Sequence, residues 1–248
     1  METMKLRDDI YFYPSPAGLD FTGEINSNTV VVSGPRHIMI DPGLSRHWER
    51  LRGQVAADGL DPADIGLVLC THSHPDHAES AVRAAREVGA DLLMSLAELD
   101  FLVTGGVCFY YRTQDGEYLP LAGNMPVFDV PDTSLFTKGF PGPFLYGGRQ
   151  FRLFLTPGHS PGGLCLHWPE RGLLVTGDVY FRGMIGSIEL HGSSPAAMYR
   201  SVGLLGGLLD VDLVICGHGP AIEGRQEVVR NYEALFDEIA GKKAKGIV

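Results

Sequence analysis

Residues 65–77 read Ile-Gly-Leu-Val-Leu-Cys-Thr-His-Ser-His-Pro-Asp-His. An unbroken apolar run ends abruptly in three histidines and an aspartate. Such a run marks a strand buried on both faces, which requires a sheet with other layers packed against it. His72 and His74 are two apart, so an extended backbone sends both to the same side. Pro75 then turns the chain. Asp76 and His77 stand at the mouth of the next helix, where a turn can swing them back toward the same point. Burying that much polarity without a partner is costly. Neutral imidazoles and carboxylates are the usual ligands of zinc and of non-haem iron or manganese, so a metal ion is the natural partner.

Strand and helix signals alternate on either side of this segment. Residues 10–13, 29–33 and 37–40 read as short strands separated by glycine and proline. A helix is expected around 44–58. Residues 78–88 are alanine-rich and read as a helix stopped by Gly89. In the second half, 151–155, 163–168 and 172–176 read as strands. Ser194 before Pro195 is an N-cap preceding a proline at the first helical position, so a helix should run to about Leu209. Residues 211–216 form another buried strand. Residues 225–240 place Val228, Tyr232, Leu235, Phe236 and Ile239 on one stripe, with Gly241 the expected C-cap. Elements interleaved in this way imply an α/β chain of sheets covered by helices.

Three further residues share one setting. His159 in Pro157-Gly158-His159-Ser160-Pro161-Gly162, Asp178 in Thr176-Gly177-Asp178 and His218 in Gly217-His218-Gly219 each follow an expected strand and are flanked by glycine. Strand ends are where α/β proteins gather their sites. A single histidine beside a glycine is usually an ordinary loop residue. The same setting repeated, beside H-x-H-x-D-H, argues otherwise. His37, His47 and His167 lack that context and read as surface or strand residues. His191 reads as a loop residue rather than a substrate contact.

The segments T-H-S-H-P-D-H, P-G-H-S-P-G, T-G-D and G-H-G, with Ile40-Asp41-Pro42-Gly43 before them, resemble the motif set of the metallo-β-lactamase superfamily. The resemblance implies an αβ/βα four-layer sandwich of two mixed sheets flanked by helices, with metals at one edge of the sheets. By position, His72, His74 and His159 resemble the ligands of a first ion. Asp76, His77 and His218 resemble those of a second, and Asp178 resembles the carboxylate that bridges them. Asp41 resembles an aspartate that buttresses the ligand loop without binding metal. The segment 177–183 is similar to that around the bridging aspartate of glyoxalase-like hydrolases. The helical extension that holds glutathione in type-II glyoxalases is not evident in the 30 residues after His218.

These readings imply a hydrolase with two divalent ions, zinc foremost and iron or manganese next. Hydroxide bridging the ions would attack a small thioester, ester or lactone, and Asp76 would orient it and move its proton. Structural zinc sites are closed, four-ligand and rich in Cys, which seven N and O ligands do not match. The alternative is a mononuclear iron persulfide dioxygenase using His72, His159 and Asp178, although Ser187-Ile188-Glu189 after Ile185-Gly186 departs from that subgroup. With 20 Lys plus Arg against 30 Asp plus Glu, the net charge is −10. Neither a nucleic-acid partner nor an acidic membrane suits that balance. The apolar stretch 201–217 is broken by Asp210 and Asp212, too short a run to span a bilayer. The N-terminus shows no apolar signal segment, and four cysteines without C-x-x-C spacing are no disulfide framework. A cytoplasmic protein is therefore expected. One domain, 1–248, is expected, with an aromatic-rich insertion at about 101–150. Residues 104–116 of that insertion, with Phe109-Tyr110-Tyr111 in a row, are expected to form part of a lid or wall over the site, the interface of a homodimer, or both.

Overall fold

The computed structural model describes residues 4–15, 26–103, 110–112, 118–120 and 142–244. The first half forms a six-stranded sheet in the order β1 (Met4–Arg7), β2 (Ile10–Tyr13), β3 (Thr29–Val32), β4 (His37–Ile40), β5 (Ile65–Leu69) and β6 (Asp91–Leu93). The first four pair antiparallel, and β4, β5 and β6 run parallel. Parallel neighbours need long crossovers. α1 (Trp48–Ala57) supplies one, and α2 (Pro75–Ala78) with α3 (Ala81–Val88) supplies the other. After β6 comes α4 (Leu96–Val103), then a short antiparallel pair, β7 (Tyr110–Arg112) and β8 (Tyr118–Pro120). The lid-or-interface expectation for 104–116 falls otherwise outside the described residues.

The second sheet has six strands as well. β9 (Gly142–Tyr146), β10 (Arg149–Leu155), β11 (Leu164–Trp168) and β12 (Leu173–Gly177) pair antiparallel in sequence order. β15 (Leu213–Cys216) joins β12 in parallel, and β16 (Ile222–Glu223) closes the far edge. The β9–β10 turn uses Gly147 and Gly148, with φ of +56° and +75°. Two consecutive positive φ values are what a two-residue hairpin loop demands. Between β12 and β15 lie a small hairpin, β13 (Tyr180–Phe181) and β14 (Met184–Ile185), and α5 (Pro195–Gly206). α6 (Arg225–Ala244) ends the described chain.

Side-chain alternation along the strands builds the layers. Ile10, Phe12, Val30, Val32, Ile38 and Ile40 face Phe151, Leu153, Leu166, Trp168, Leu173 and Val175 across the gap between the sheets. The intervening residues Val31, Met39 and Val68 face Trp48, Leu51 and Val55 of α1 and the alanines of α3. Phe154, Cys165, Leu174 and Val214 face Met198 and Val202 of α5 and Leu235 and Ile239 of α6. Both sheets are thus buried on both faces, which is why β5 reads as a continuous apolar run. Each fully buried side chain of this kind contributes about 1.5–3 kcal/mol. The result is the four-layer sandwich of two mixed sheets.

Three helix boundaries differ from expectation. The helix expected around 44–58 begins as a single 3-10 turn, Ser45–His47, and becomes α-helical at Trp48. The 78–88 helix is divided by Glu79 and Ser80 into α2 and α3. α6 runs through Gly241 to Ala244, so Gly241 is not its C-cap. One interior glycine costs about 1 kcal/mol. Lys242, paired with Glu238 one turn earlier at 3.3 Å, and Lys243 favour the negative end of the helix dipole and carry the helix past it. α5 starts as expected, with the Ser194 hydroxyl accepting from the Ala197 N–H, and ends at Gly206. No helix among the described residues is long and apolar enough to cross a membrane.

Candidate metal centre

Five strands running the same way, β4, β5, β10, β12 and β15, end at one edge of the sandwich. Asp41 follows β4, His72 and His74 follow β5, His159 follows β10, Asp178 follows β12 and His218 follows β15. Pro75 at the first position of α2 turns Asp76 and His77 back over the strand they follow. The structure thereby brings together all seven residues that the resemblance singles out. His72, His74 and His159 form one cluster of potential ligand atoms. Asp76, His77 and His218 form another, and His72, His77 and Asp178 a third. Within each cluster the atoms lie within 4.8 Å of one another. Asp178 sits between: Oδ1 is 3.3 Å from His77 Nε2, and Oδ2 is 3.5 Å from Nε2 of both His159 and His218.

Groups behind the rings fix which nitrogen faces inward. Asp41 accepts from the Thr71 N–H at 2.7 Å, the Thr71 hydroxyl at 2.6 Å and His77 Nδ1 at 2.8 Å. Having donated its own proton, Thr71 Oγ1 accepts from His72 Nδ1 at 3.0 Å. His159 Nδ1 donates to the Ser187 carbonyl at 2.9 Å. In each of these rings the outward nitrogen holds the proton and Nε2 points to the centre. His72 Nε2 is buried with no hydrogen-bond partner among the described residues. His159 Nε2 and His74 Nδ1 face each other at 2.9 Å. Acceptor nitrogens converging on one point suit a cation. Asp41 holds its post at φ +53°, a left-handed conformation that aspartate tolerates better than most residues. Gly217 is required for a different reason: a Cβ there would stand 2.1 Å from Asp178 Oδ1 and 2.5 Å from His77 Cε1.

The two clusters differ in charge. Burial, reinforced by neighbouring imidazoles, holds His72 and His74 well below the usual histidine range. They are neutral at pH 7 and ready to ligate. For His77 burial acts downward too, but Asp178, Asp76 and Asp41 overcome it and raise the ring well above its usual value. His218 is raised to about 9 against the same burial effect, chiefly by Asp178 and Asp76. Burial acts to raise both carboxylates, yet His77 and His218 hold Asp76 below its ordinary value and Asp178 well below.

The remaining histidines stay apart from these clusters. His37 lies in β4 and accepts from the Gly34 N–H at 3.0 Å. His167 is buried in β11, 3.2 Å from Asp210. His191 lies on an exposed loop, its ring stacked on Phe101 at 5.5 Å. Supports that the sequence analysis did not identify include Asn28, whose amide donates to Cys216 O at 2.9 Å and Gly219 O at 2.8 Å and so brackets His218. Glu98 of α4 binds the loops of His74 and His159. The Ser-x-x-Glu pattern at 95–98, a helix-start signal, was available to locate α4.

Residues 22–218 match the family described as the metallo-beta-lactamase superfamily. A protein of Aquifex aeolicus (strain VF5), described as uncharacterized, is 35% identical over 229 residues, covering 90% of this chain and 96% of its own. A probable polyketide biosynthesis zinc-dependent hydrolase, BaeB, of Bacillus velezensis is 30% identical over 165 residues. That match covers 66% of this chain and 59% of the hydrolase. Among solved structures, TTHA1623 in a di-iron-bound form superimposes with a TM-score of 0.62 at 23% identity, covering 88% of this chain and 98% of its own. The chain belongs to the metallo-beta-lactamase superfamily.

Proposed function

We propose that this member of the metallo-beta-lactamase superfamily is a dinuclear metal-dependent hydrolase of a small carbonyl compound: a thioester, ester or lactone. The observation that carries the reading is the position of Asp178, one carboxylate bordering both clusters at 3.3–3.5 Å. His72, His74 and His159 would hold the first ion, Asp76, His77 and His218 the second, and Asp178 would touch both. Zinc is the favoured metal, in keeping with the description of BaeB as zinc-dependent. Iron or manganese is the alternative, since the same donors suit them and TTHA1623 holds two irons. Two such ions would supply a water with a pKa near ~7 and a Lewis acid for the carbonyl oxygen.

The chain's own groups do the rest. Asp76 Oδ2 lies 3.1 Å from His218 Nε2, and its side chain is the most open of the seven, at 12%. Depressed below its ordinary value, it is a carboxylate at neutral pH. It accepts the proton of the attacking water and returns it to the leaving group. The Ser187 carbonyl and Asp41 keep His159 and His77 from rotating as charge moves. Turnover of a panel of acyl thioesters, aryl esters and lactones tests the reading. Hydrolysis lost on chelation and restored by zinc is the expected result. One iron per chain with oxygen uptake on a persulfide would replace it with the dioxygenase alternative.

A further inference from the structure

We infer that Glu98 is a positioning residue that sets the separation of the loops carrying His74 and His159, and thereby the affinity of the first metal position; the inference rests on the metal-centre reading above. Ser95-Leu96-Ala97-Glu98 opens α4 as a capping box. The Ser95 hydroxyl accepts from the Glu98 N–H at 3.2 Å, and the Leu99 N–H donates to the Ser95 carbonyl at 3.1 Å. In such a box the glutamate normally reaches back to the N-cap N–H. Here it is diverted. Oε2 accepts from the Ser73 N–H at 3.0 Å and the Ser73 hydroxyl at 2.5 Å, and Oε1 accepts from the Gly162 N–H at 2.6 Å. The Ser95 hydroxyl in turn donates to the Gly162 carbonyl at 2.5 Å.

Ser73 lies between His72 and His74, and Gly162 is three residues beyond His159. One planar carboxylate therefore ties a loop of the first sheet to a loop of the second. Those loops deliver the two nitrogens that face each other at 2.9 Å. Glu98 is fully buried and has no ion pair among the described residues. A buried carboxylate without a cation is costly, and helix capping alone does not call for one. Three charge-assisted hydrogen bonds offset that cost only where the carboxylate stands. One turn further along α4, Phe101 stacks on His191. That loop also grips His159, through the Ser187 carbonyl and the Ser193 hydroxyl, which donates to the His159 carbonyl at 2.9 Å. The helix thus braces His159 from two directions.

Glu98→Gln keeps the shape but puts an amide NH2 against a donor of Ser73 or Gly162. Cobalt(II) binding to metal-free protein, by competition with a chelator and by visible absorption, reads the effect. The expected result is a roughly tenfold to hundredfold weaker first ion and an altered cobalt spectrum. Ser73→Ala, which deletes one donor and leaves the carboxylate, should act in the same direction by severalfold. It serves in its own right if Glu98→Gln does not fold. A lower melting temperature with wild-type cobalt affinity and spectrum in either variant would make the role merely structural and overturn the inference. Wild-type protein that binds no cobalt would instead overturn the metal-centre reading beneath it.

Discussion

In the metal-free protein, burial pulls His218 toward neutrality while Asp178 and Asp76 pull it toward charge, and the carboxylates win, at about 9. At pH 7 the ring therefore carries a proton, and a metal ligand cannot. Loading the His218 side must eject that proton. His72 and His74, held low by burial, have none to lose. The sign follows: affinity for the ion at His77 and His218 rises with pH through neutrality, as His77, raised well above its usual value, and His218, raised to about 9, give up their protons. Affinity at the His72 side changes little over that window. Titration calorimetry in buffers of different ionisation enthalpy should therefore show proton release confined to one of two binding steps. Release divided equally between the steps would contradict the charge asymmetry. These seven residues were legible in the sequence because each stands within a short motif at a strand end. Asn28 and Glu98 were not, because the partners of Asn28 lie 188 and 191 residues away, those of Glu98 lie 25 and 64 away, and nothing local marks the bonds.

At the scale of elements, α6 acts on the site through the β13–β14 hairpin. Asn231 accepts from the Gly183 N–H at 2.6 Å and donates to the Phe181 carbonyl at 3.3 Å, and Glu238 accepts from the Ile185 N–H at 2.7 Å. The hairpin joins Asp178 to the Ser187 carbonyl behind His159, so its seat decides where both stand. Asn231→Ala removes both bonds to the hairpin; because Gly183 is exposed and water can take the place of the lost acceptor, the cost should be about 1 kcal/mol. In a chain of this size that lowers the melting temperature by roughly 2–4 °C per kcal/mol. A calorimetric scan showing no shift would remove the clamp from the account. The long buried strands and the stripe of α6 were legible from apolar periodicity and caps, except that Phe236, expected on the stripe, is exposed while Asn231 is buried there. β1, β6, β13, β14 and β16 span only two to four residues each. Elements that short are defined by the partner they pair with, and periodicity has too few residues to register them.

At the scale of the molecule, two six-stranded mixed sheets meet with the C-terminal ends of β5, β10, β12 and β15 at one edge. The first sheet delivers His72, His74, Asp76 and His77, and the second delivers His159, Asp178 and His218. Neither sheet holds a complete set for either proposed ion, so the proposed centre requires the assembled sandwich. On the proposed function this edge holds two ions sharing Asp178. Metal counting on wild-type, Asp178→Ala, His77→Ala and His37→Ala proteins, each equilibrated with zinc and dialysed, tests it most directly. Two ions per chain are expected in the wild type and in His37→Ala, with preferential loss of one in His77→Ala and loss of both or nearly both in Asp178→Ala. A wild type that saturates at one ion, or an Asp178→Ala protein that keeps two, would contradict it.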